Sequence, residues 1–231
     1  MSVLPTIVFD VNETLLDLSA LDPLFVDAFG DKASRRVWFS QTLQLAMSAT
    51  IVGSYAPFGE IARVALAMTA RKRGVGLDAE RMRRILNGMS ALPAHGDVVD
   101  GLRRLRDEGY RLAVLTNSVE SVAQAQLEHA HLHGFFSHVL SVDPVRRFKP
   151  APEIYAYAAR ILDVAPSELI LVAAHDWDVA GAMHAGWRAA FVSRHGTALN
   201  PLEPAPTIVA ASVRDAAHAI MNLEVAGENA F

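Results

Sequence analysis

Residues 6–16 read TIVFDVNETLL, and this stretch decides how the rest of the chain is interpreted. Residues 7–9 are β-branched or aromatic and include no turn residue, which predicts a short strand buried on both faces. Asp10 follows this strand directly, and Thr14 supplies a hydroxyl four residues later. Carboxyl ends of strands in open parallel sheets carry ligand-binding groups, but an Asp in this position can also simply cap the next helix or turn. The residues at the ends of the other predicted strands distinguish between these two roles of Asp10.

Composition limits the function classes. The chain has 231 residues, of which 52% are hydrophobic and 20% are charged, as in an ordinary compact globular protein. A net charge of −4 without a run of Lys or Arg predicts a small-molecule ligand and no nucleic-acid partner. The chain has no cysteine, which excludes disulfides, thiolate catalysis and Cys-based metal sites.

The N-terminal sequence also limits the expected location. It lacks the basic and apolar regions of a signal peptide. No window approaches the roughly 18 to 20 apolar residues that span a bilayer. We therefore expect a cytoplasmic protein with no membrane partner.

Residues 17–92 have helical hydrophobic periodicity and no convincing strand. Helices are predicted at 21–29, 38–51, 58–72 and 79–87, with Gly30 and Gly53 ending the first two. We interpret residues 17–92 as an inserted helical domain. The apolar face of the second helix is broad, which favours a homodimer.

From His95 onward, helical and strand patterns alternate, which is typical of an α/β fold with a parallel sheet. Strands are predicted at 111–115, 139–142, 169–174, 189–192 and 207–209, and the intervening helices include 119–133 and 179–186. Residues 1–16 and 93–231 are therefore expected to form one core domain, interrupted by the helical insertion.

Polar groups recur where the predicted strands end. They are Asp10 with Thr14, Thr116 with Asn117, Lys149, and Asp176 with Asp178. In a parallel sheet these ends meet at one edge. Together they describe a carboxylate nucleophile, hydrogen-bond donors for an anionic substrate, a cation and a second carboxylate.

This set of residues, in this order, resembles the haloacid dehalogenase superfamily over nearly the whole chain. Asp10 with Thr14 looks like its first motif, Thr116 its second, Lys149 its third and Asp178 its fourth. The resemblance implies a Rossmann-like core with a four-helix cap inserted after the first strand. The phrases at 141–143 and 148–150 are similar to those of the type II, (S)-2-haloacid dehalogenase branch.

The resemblance also implies a reaction. Asp10 would displace halide from C2 of a small 2-haloalkanoic acid with inversion, and water would then hydrolyse the resulting aspartyl ester to a 2-hydroxy acid. Lys149 would keep Asp10 ionised. Thr14 and Thr116 would hydrogen-bond to the carboxylates, and Asp178 matches the carboxylate of the fourth motif. No cofactor is implied.

Three further positions match family residues around the substrate. Asn117 and Trp177 match positions that contact the departing halide, and Tyr155 matches one that braces Lys149. Asn12 and Phe39 are also expected to face the substrate.

The residue two positions after Asp10 bears on the leaving group. Phosphatases of the superfamily have an Asp there, which protonates the leaving group and helps to hold magnesium, whereas this chain has Asn12. An amide cannot act as a general acid, but halide needs no proton. The alternative enzyme is a magnesium-dependent phosphatase whose ligands would be Asp10, Asp176 and Asp178, and Asn12 argues against it.

Two departures from the family pattern leave a third possibility open. Phe39 stands where type II dehalogenases have a cap Arg. Arg35 or Arg36, one turn earlier, could reach in to replace that cation, although a surface position is expected for both. Ala173 and His175 replace the family Ser and Asn that position the hydrolytic water, so His175 is predicted to act as a base or a hydrogen-bond partner. These changes are also compatible with a catalytically weak binding protein.

Overall fold

A parallel six-stranded sheet forms the centre of the molecule. The computed structural model describes residues 4–228, with side chains described up to residue 223. The strands are β1 (Thr6–Phe9), β2 (Leu112–Thr116), β3 (His138–Ser141), β4 (Leu169–Ala173), β5 (Arg188–Val192) and β6 (Ile208–Ala210). Their order is β3-β2-β1-β4-β5-β6, and every neighbouring pair is parallel. The predicted α/β fold is confirmed.

Four long helices follow β1 before the chain returns to the sheet, as predicted. They are α1 (Asp22–Phe29), α2 (Ala33–Val52), α3 (Phe58–Lys72) and α4 (Ala79–Gly88). The later helices are α5 (Val98–Asp107), α6 (Glu120–His129), α7 (Pro152–Leu162), α8 (Asp176–His184) and α9 (Val213–Glu228). Among residues 4–228, no helix is both long and apolar enough to cross a membrane.

The position of β1 explains where the site lies. All residues of β1, β2 and β4 are buried, as expected for central strands covered on both faces. The strand order reverses beside β1, because the chain runs outward through β2 and β3 and then returns to β4 on the other side. Ligands of open α/β sheets bind outside the carboxyl ends of the strands at such a switch point.

Several predicted boundaries are wrong. Helix α2 begins at Ala33, five residues before the predicted start, and most strands differ from the prediction by one residue. The helix expected at 179–186 begins at Asp176, because acidic residues in a first helical turn are favoured by the helix dipole. The helix expected at 119–133 ends at His129, and His131 has a left-handed backbone with φ 57°. Strand β3 begins one residue earlier than the predicted 139–142.

The turn after β1 places Glu13 in a left-handed conformation with φ 63°. Backbone hydrogen bonds hold this turn: Leu15 N and Leu16 N donate to Val11 O at 2.9 and 3.0 Å, and Glu13 N donates to Leu16 O at 2.9 Å. A left-handed backbone costs a residue with a Cβ about 1–2 kcal/mol, and glycine avoids that cost. The fold therefore carries local strain three residues after Asp10.

The strain at Glu13 predicts a difference between two truncating variants. Glu13→Ala and Glu13→Gly both remove the carboxylate, but only glycine relieves the left-handed backbone. We expect Glu13→Gly to be more stable than Glu13→Ala by about 1 kcal/mol in the free energy of unfolding, measured in urea. Equal stability of the two variants would show that the turn is unstrained.

Helix α8 packs against α7 through Gly181. A Cβ added at this position would lie 2.6 Å from the Tyr155 hydroxyl and 2.6 Å from Pro150 Cβ. Glycine therefore permits the close approach that brings Tyr155 to the first turn of α8.

Substitution of Gly181 is accordingly expected to destabilise the fold. Gly181→Ala should lower the free energy of unfolding by about 1–3 kcal/mol, because the added methyl group overpacks this contact. Gly59→Ala, in the first turn of α3 with nothing within 4 Å of the added Cβ, is the matched control and should not destabilise the protein. Thermal unfolding of both variants tests the prediction, which fails if they behave alike.

Candidate active site

The Lys149 ammonium lies between two buried carboxylates at the carboxyl edge of the sheet. Lys149 Nζ donates to Asp10 Oδ1 at 2.8 Å, to Asp178 Oδ2 at 2.6 Å and to the Leu115 carbonyl oxygen at 2.8 Å. Asp10 is 5% exposed, Lys149 1% and Asp178 0%. All three N–H donors of the ammonium are thus used. The loop after β1, strand β2, helix α8 and the loop before α7 meet at this atom.

Electrostatics favours an ionised Asp10. Burial opposes ionisation, but the Lys149 charge, His175 and the hydrogen bonds from Lys149 and Thr14 outweigh it and lower the pKa of Asp10. Burial would lower the pKa of Lys149, yet the two carboxylates raise it above its ordinary value. Asp10 is therefore held as a carboxylate beside a permanently charged ammonium.

Thr14 fixes the second oxygen of Asp10. Its hydroxyl donates to Asp10 Oδ2 at 2.7 Å and accepts from Ala174 N at 2.9 Å, which ties the first strand end to the loop after β4. Thr116 lies at the same edge and is buried, but its hydroxyl accepts from Ser118 N at 3.2 Å. Thr14 orients Asp10 directly, whereas Thr116 stabilises the neighbouring turn.

Tyr155 reaches the cluster through Asp178. Its hydroxyl donates to Asp178 Oδ1 at 2.6 Å, and burial together with this carboxylate raises the Tyr155 pKa well above its ordinary value. Asp178 Oδ2 is bound by Lys149. Burial raises the pKa of Asp178; Lys149 opposes this effect and the Asp10 charge reinforces it. Both oxygens of the fully buried Asp178 are occupied by protein donors.

The two asparagines position the backbone and neighbouring loops. Asn117 Oδ1 accepts from Lys149 N at 3.0 Å, which leaves the amide NH2 group of Asn117 as a donor. Asn12 Oδ1 accepts from Gln126 Nε2 at 3.2 Å, and Asn12 Nδ2 lies 3.5 Å from the Ser118 hydroxyl. The Asn12 side chain is thus engaged with α6 and the loop before it.

The His175 imidazole lies beside Asp10 between two aromatic rings. Its centroid is 4.9 Å from that of Trp177 and 6.3 Å from that of Phe39, with interplanar angles of 20° and 30°. His175 Nε2 lies 3.3 Å from the Asn12 carbonyl oxygen and 3.8 Å from Asp10 Oδ2. The ring is fixed with one nitrogen directed at the nucleophile candidate.

One charged residue next to this ring, Glu13, is not predicted from the sequence, and its partner Arg35 is expected at the surface. Glu13 Oε2 lies 3.8 Å from His175 Nε2, and Glu13 Oε1 lies 3.6 Å from Arg35 Nη1. Burial raises the pKa of Glu13, although His175 and Arg35 oppose that effect. Arg35 is 6% exposed and also donates to Asp22 at 2.5 Å, so its expected surface position is wrong. The one signal for Glu13 was its closeness to Asp10 in the sequence.

A cavity of about 260 Å³ opens beside the cluster. Glu13, Arg36, Phe39, His175 and Trp177 contribute to its wall. Arg36 is exposed, as predicted. The cavity is small, contains both an aromatic surface and charged groups, and suits a small organic acid.

The three residues that a magnesium-dependent phosphatase would use as ligands, Asp10, Asp176 and Asp178, do not fit a metal ion. The Lys149 ammonium occupies the space between Asp10 and Asp178 and bonds to both. Asp176 is half-buried; it lines the 260 Å³ cavity and also a second cavity with Pro152 and His184. Between residues 4 and 223, no group of three His, Asp or Glu side chains is arranged to hold a metal. No step can therefore be derived through Mg²⁺.

Removal of the central cation tests this electrostatic arrangement. In Lys149→Met, burial of Asp10 is no longer offset, so its pKa should rise and two carboxylates should share one buried site. We expect the free energy of unfolding at neutral pH to fall by about 3–5 kcal/mol. Lys32→Met, at an exposed position, is the control.

The pH dependence of stability tests whether Lys149 lowers the pKa of Asp10. In the native protein the lowered pKa of Asp10 contributes stability above its ordinary value of 3.8, which is lost as the pH falls through the folded-state pKa. In Lys149→Met the folded-state pKa lies above the unfolded one, so the destabilisation should be smallest in acid. Urea unfolding of the wild type and of Lys149→Met, from acid to neutral pH, measures the difference in their free energies of unfolding. A difference that does not change with pH would show that Lys149 does not lower the pKa of Asp10.

Comparisons with known proteins agree with this geometry. The family model described as haloacid dehalogenase-like hydrolase matches residues 4–186. The chain is 28% identical over 209 residues to (S)-2-haloacid dehalogenase H-109 of Pseudomonas putida, covering 90% of this chain and 93% of that protein. It is also 28% identical over 216 residues to (S)-2-haloacid dehalogenase of Pseudomonas sp. strain YL, with 93% of each covered.

Solved structures give the same relationship. The L-2-haloacid dehalogenase of Xanthobacter autotrophicus superposes with a TM-score of 0.89 at 25% identity, covering 96% of this chain and all of that one. A second structure of that enzyme, with chloropropionic acid covalently bound, superposes with a TM-score of 0.88 at 25% identity and the same coverage. The chain therefore belongs to the haloacid dehalogenase-like hydrolases.

Proposed function

We propose that this protein is a hydrolase that cleaves the carbon–halogen bond of small (S)-2-haloalkanoic acids through an ester on Asp10. The observation that carries the proposal is the Asp10 carboxylate, which is kept ionised by Lys149 at 2.8 Å and oriented by Thr14 at 2.7 Å. Relatives that align over most of the chain are (S)-2-haloacid dehalogenases, and one related enzyme has been solved with chloropropionic acid covalently bound.

The first step is alkylation of Asp10. One Asp10 oxygen attacks C2 in line, the new C–O bond forms as the carbon–halogen bond breaks, and halide departs with the electron pair. No proton is needed for this leaving group, which is consistent with Asn12 at the position where a phosphatase requires an acid. Water then attacks the ester carbonyl carbon of Asp10, and the 2-hydroxy acid is released with restoration of the carboxylate.

The surrounding residues support these steps in distinct ways. Asp178, itself held by Tyr155, keeps the Lys149 ammonium in place. The free amide NH2 group of Asn117 and the Trp177 ring contact the departing halide, and Phe39 covers the apolar side of the substrate. Thr116 fixes the turn that carries Asn117.

The domain arrangement follows from the same reaction. Residues 17–92 act as a cap over a core made of residues 1–16 and 93–231, and closure of this cap excludes bulk water from the ester.

We also propose a homodimer, which is supported by two exposed apolar residues at the end of α2, Ile51 and Val52, with 82% and 74% exposure. The cytoplasmic location stays a prediction from the sequence.

The substrate class can be tested with three parallel incubations. Wild-type protein is mixed with (S)-2-chloropropionate, with its (R) enantiomer, and with p-nitrophenyl phosphate in the presence and absence of magnesium. We expect chloride release and (R)-lactate from the (S) acid alone, because in-line attack inverts C2. Phosphate release that depends on magnesium would instead support the phosphatase, and turnover of neither class would favour a binding protein.

The nucleophile is tested by Asp10→Asn, with the exposed Asp107→Asn as the control. We expect Asp10→Asn to lose at least 10³-fold in chloride release, since a neutral amide is a poor nucleophile and no other carboxylate takes its place, whereas Asp107→Asn keeps the wild-type rate. Rapid quench of the wild type should give peptide containing Asp10 with the added mass of one 1-carboxyethyl group. Chloride release that persists in Asp10→Asn would show that Asp10 is not the nucleophile.

A further inference from the structure

Hydrolysis of the Asp10 ester needs a group that alkylation does not need. Water must lose a proton as it attacks the ester, and the departing 2-hydroxy oxygen must gain one. Asp178 is poorly placed to take that proton, because it is fully buried and its two oxygens are bound by Lys149 at 2.6 Å and Tyr155 at 2.6 Å. The cluster that holds the nucleophile therefore leaves the acid–base role to another residue.

We propose that His175 is the acid–base residue of ester hydrolysis in this protein and that Glu13 is the residue that positions it. This inference rests on the proposed function. His175 takes a proton from the attacking water and gives it to the 2-hydroxy oxygen as the tetrahedral intermediate collapses. Asp10, released as a carboxylic acid, then loses its proton to solvent and returns to the carboxylate paired with Lys149.

The placement of His175 supports this role. Its Nε2 is 3.8 Å from Asp10 Oδ2, which is too long for a direct hydrogen bond but allows one water molecule to touch both groups. In the tautomer with the proton on Nδ1, Nε2 can accept the proton from that water, and the protonated Nε2 then donates to the Asn12 carbonyl oxygen at 3.3 Å. The ring is held between Trp177 and Phe39, so its orientation does not depend on the substrate. His175 is also the residue that precedes α8, where its backbone is fixed as the N-cap.

Glu13 supplies the negative charge that stabilises the protonated His175 imidazole after alkylation has neutralised Asp10. After alkylation, Asp10 is a neutral ester and no longer stabilises an adjacent imidazolium. The Glu13 carboxylate remains 3.8 Å from Nε2 and is held from the other side by Arg35 at 3.6 Å. It therefore stabilises the protonated ring in the step in which the ring has accepted the proton from water.

The left-handed backbone of Glu13 is consistent with selection for this side chain. With φ 63°, glycine would be the unstrained choice, yet the chain places a half-buried carboxylate there. Strained residues that persist tend to cluster at functional sites.

The two half-reactions can be separated by single-turnover measurements with (S)-2-chloropropionate. In His175→Gln we expect one equivalent of chloride per active site at close to the wild-type rate, followed by accumulation of the Asp10 ester and a fall in kcat of roughly 10²–10⁴-fold. In Glu13→Gln the same pattern should appear with a smaller fall, and Glu13→Asp should recover part of it. A general loss of structure would slow the chloride burst as well.

The matched control is a second Glu–His pair on the surface, His184 and Glu203, which are 2.8 Å apart. His184→Gln and Glu203→Gln should leave the burst, ester level and kcat unchanged. If His175→Gln does not fold, His175→Phe, which keeps an aromatic ring beside Trp177 and Phe39 but has no ring nitrogen, replaces it in the same measurement.

Two results would overturn the inference, and they differ from failure of the proposed function. The first is a folded His175 variant that keeps the wild-type kcat and accumulates no Asp10 ester. The second is a slowed chloride burst with no ester in both the His175 and Glu13 variants, which would move these residues to the alkylation step. If the wild type itself releases no halide and forms no ester, the proposed function fails first and the inference falls with it.

Discussion

The bonds from one ammonium to two buried carboxylates organise this molecule. Lys149 bonds to Asp10 and Asp178 at 2.8 and 2.6 Å in a site from which water is almost excluded. A buried charge without a partner is costly, so each member of the trio requires the others. The trio nevertheless keeps one net negative charge, and Asp10 is the carboxylate that is 5% exposed while Asp178 is closed off. Burial and the hydrogen bond from Tyr155 to Asp178 therefore leave Asp10 as the more accessible of the two carboxylates.

The sheet topology makes this arrangement possible. Because β2, β1 and β4 are adjacent and parallel, their carboxyl ends bring the Leu115 carbonyl, Asp10 and the loop leading to Asp178 to one edge. Thr14 then connects two of these ends by bonding both Asp10 and Ala174 N. The geometry of the site is thus a property of the core strands, and the helices α1–α4 add the wall that carries Phe39 and Arg35.

Much of this could be predicted from the sequence because strand ends are encoded locally. The short apolar runs that end in Asp10, Thr116 and the segment before His175 identified the sheet, and a parallel sheet requires that they meet. Side-chain partners were harder to predict because they depend on distant residues. Asn12 is engaged by Gln126, 114 positions away, and Thr116 bonds to the turn that follows it rather than to Asp10. Arg35 was expected at the surface because nothing in its own helix indicates that Glu13 and Asp22 face it.

Glu13 shows why a local rule can fail where function is concerned. Sequence rules favour glycine at a left-handed position, and here the chain accepts a strain of about 1–2 kcal/mol instead. That cost is a noticeable part of the roughly 5–15 kcal/mol by which a domain is stable, so we expect the Glu13 side chain to have a compensating role. The residues that hold and ionise Asp10 match the family motifs, whereas two departures, Phe39 and His175, line the cavity together with Glu13. In the proposed reaction, the residues that match the family motifs serve formation of the ester, and the departures lie at the cavity from which water would reach that ester.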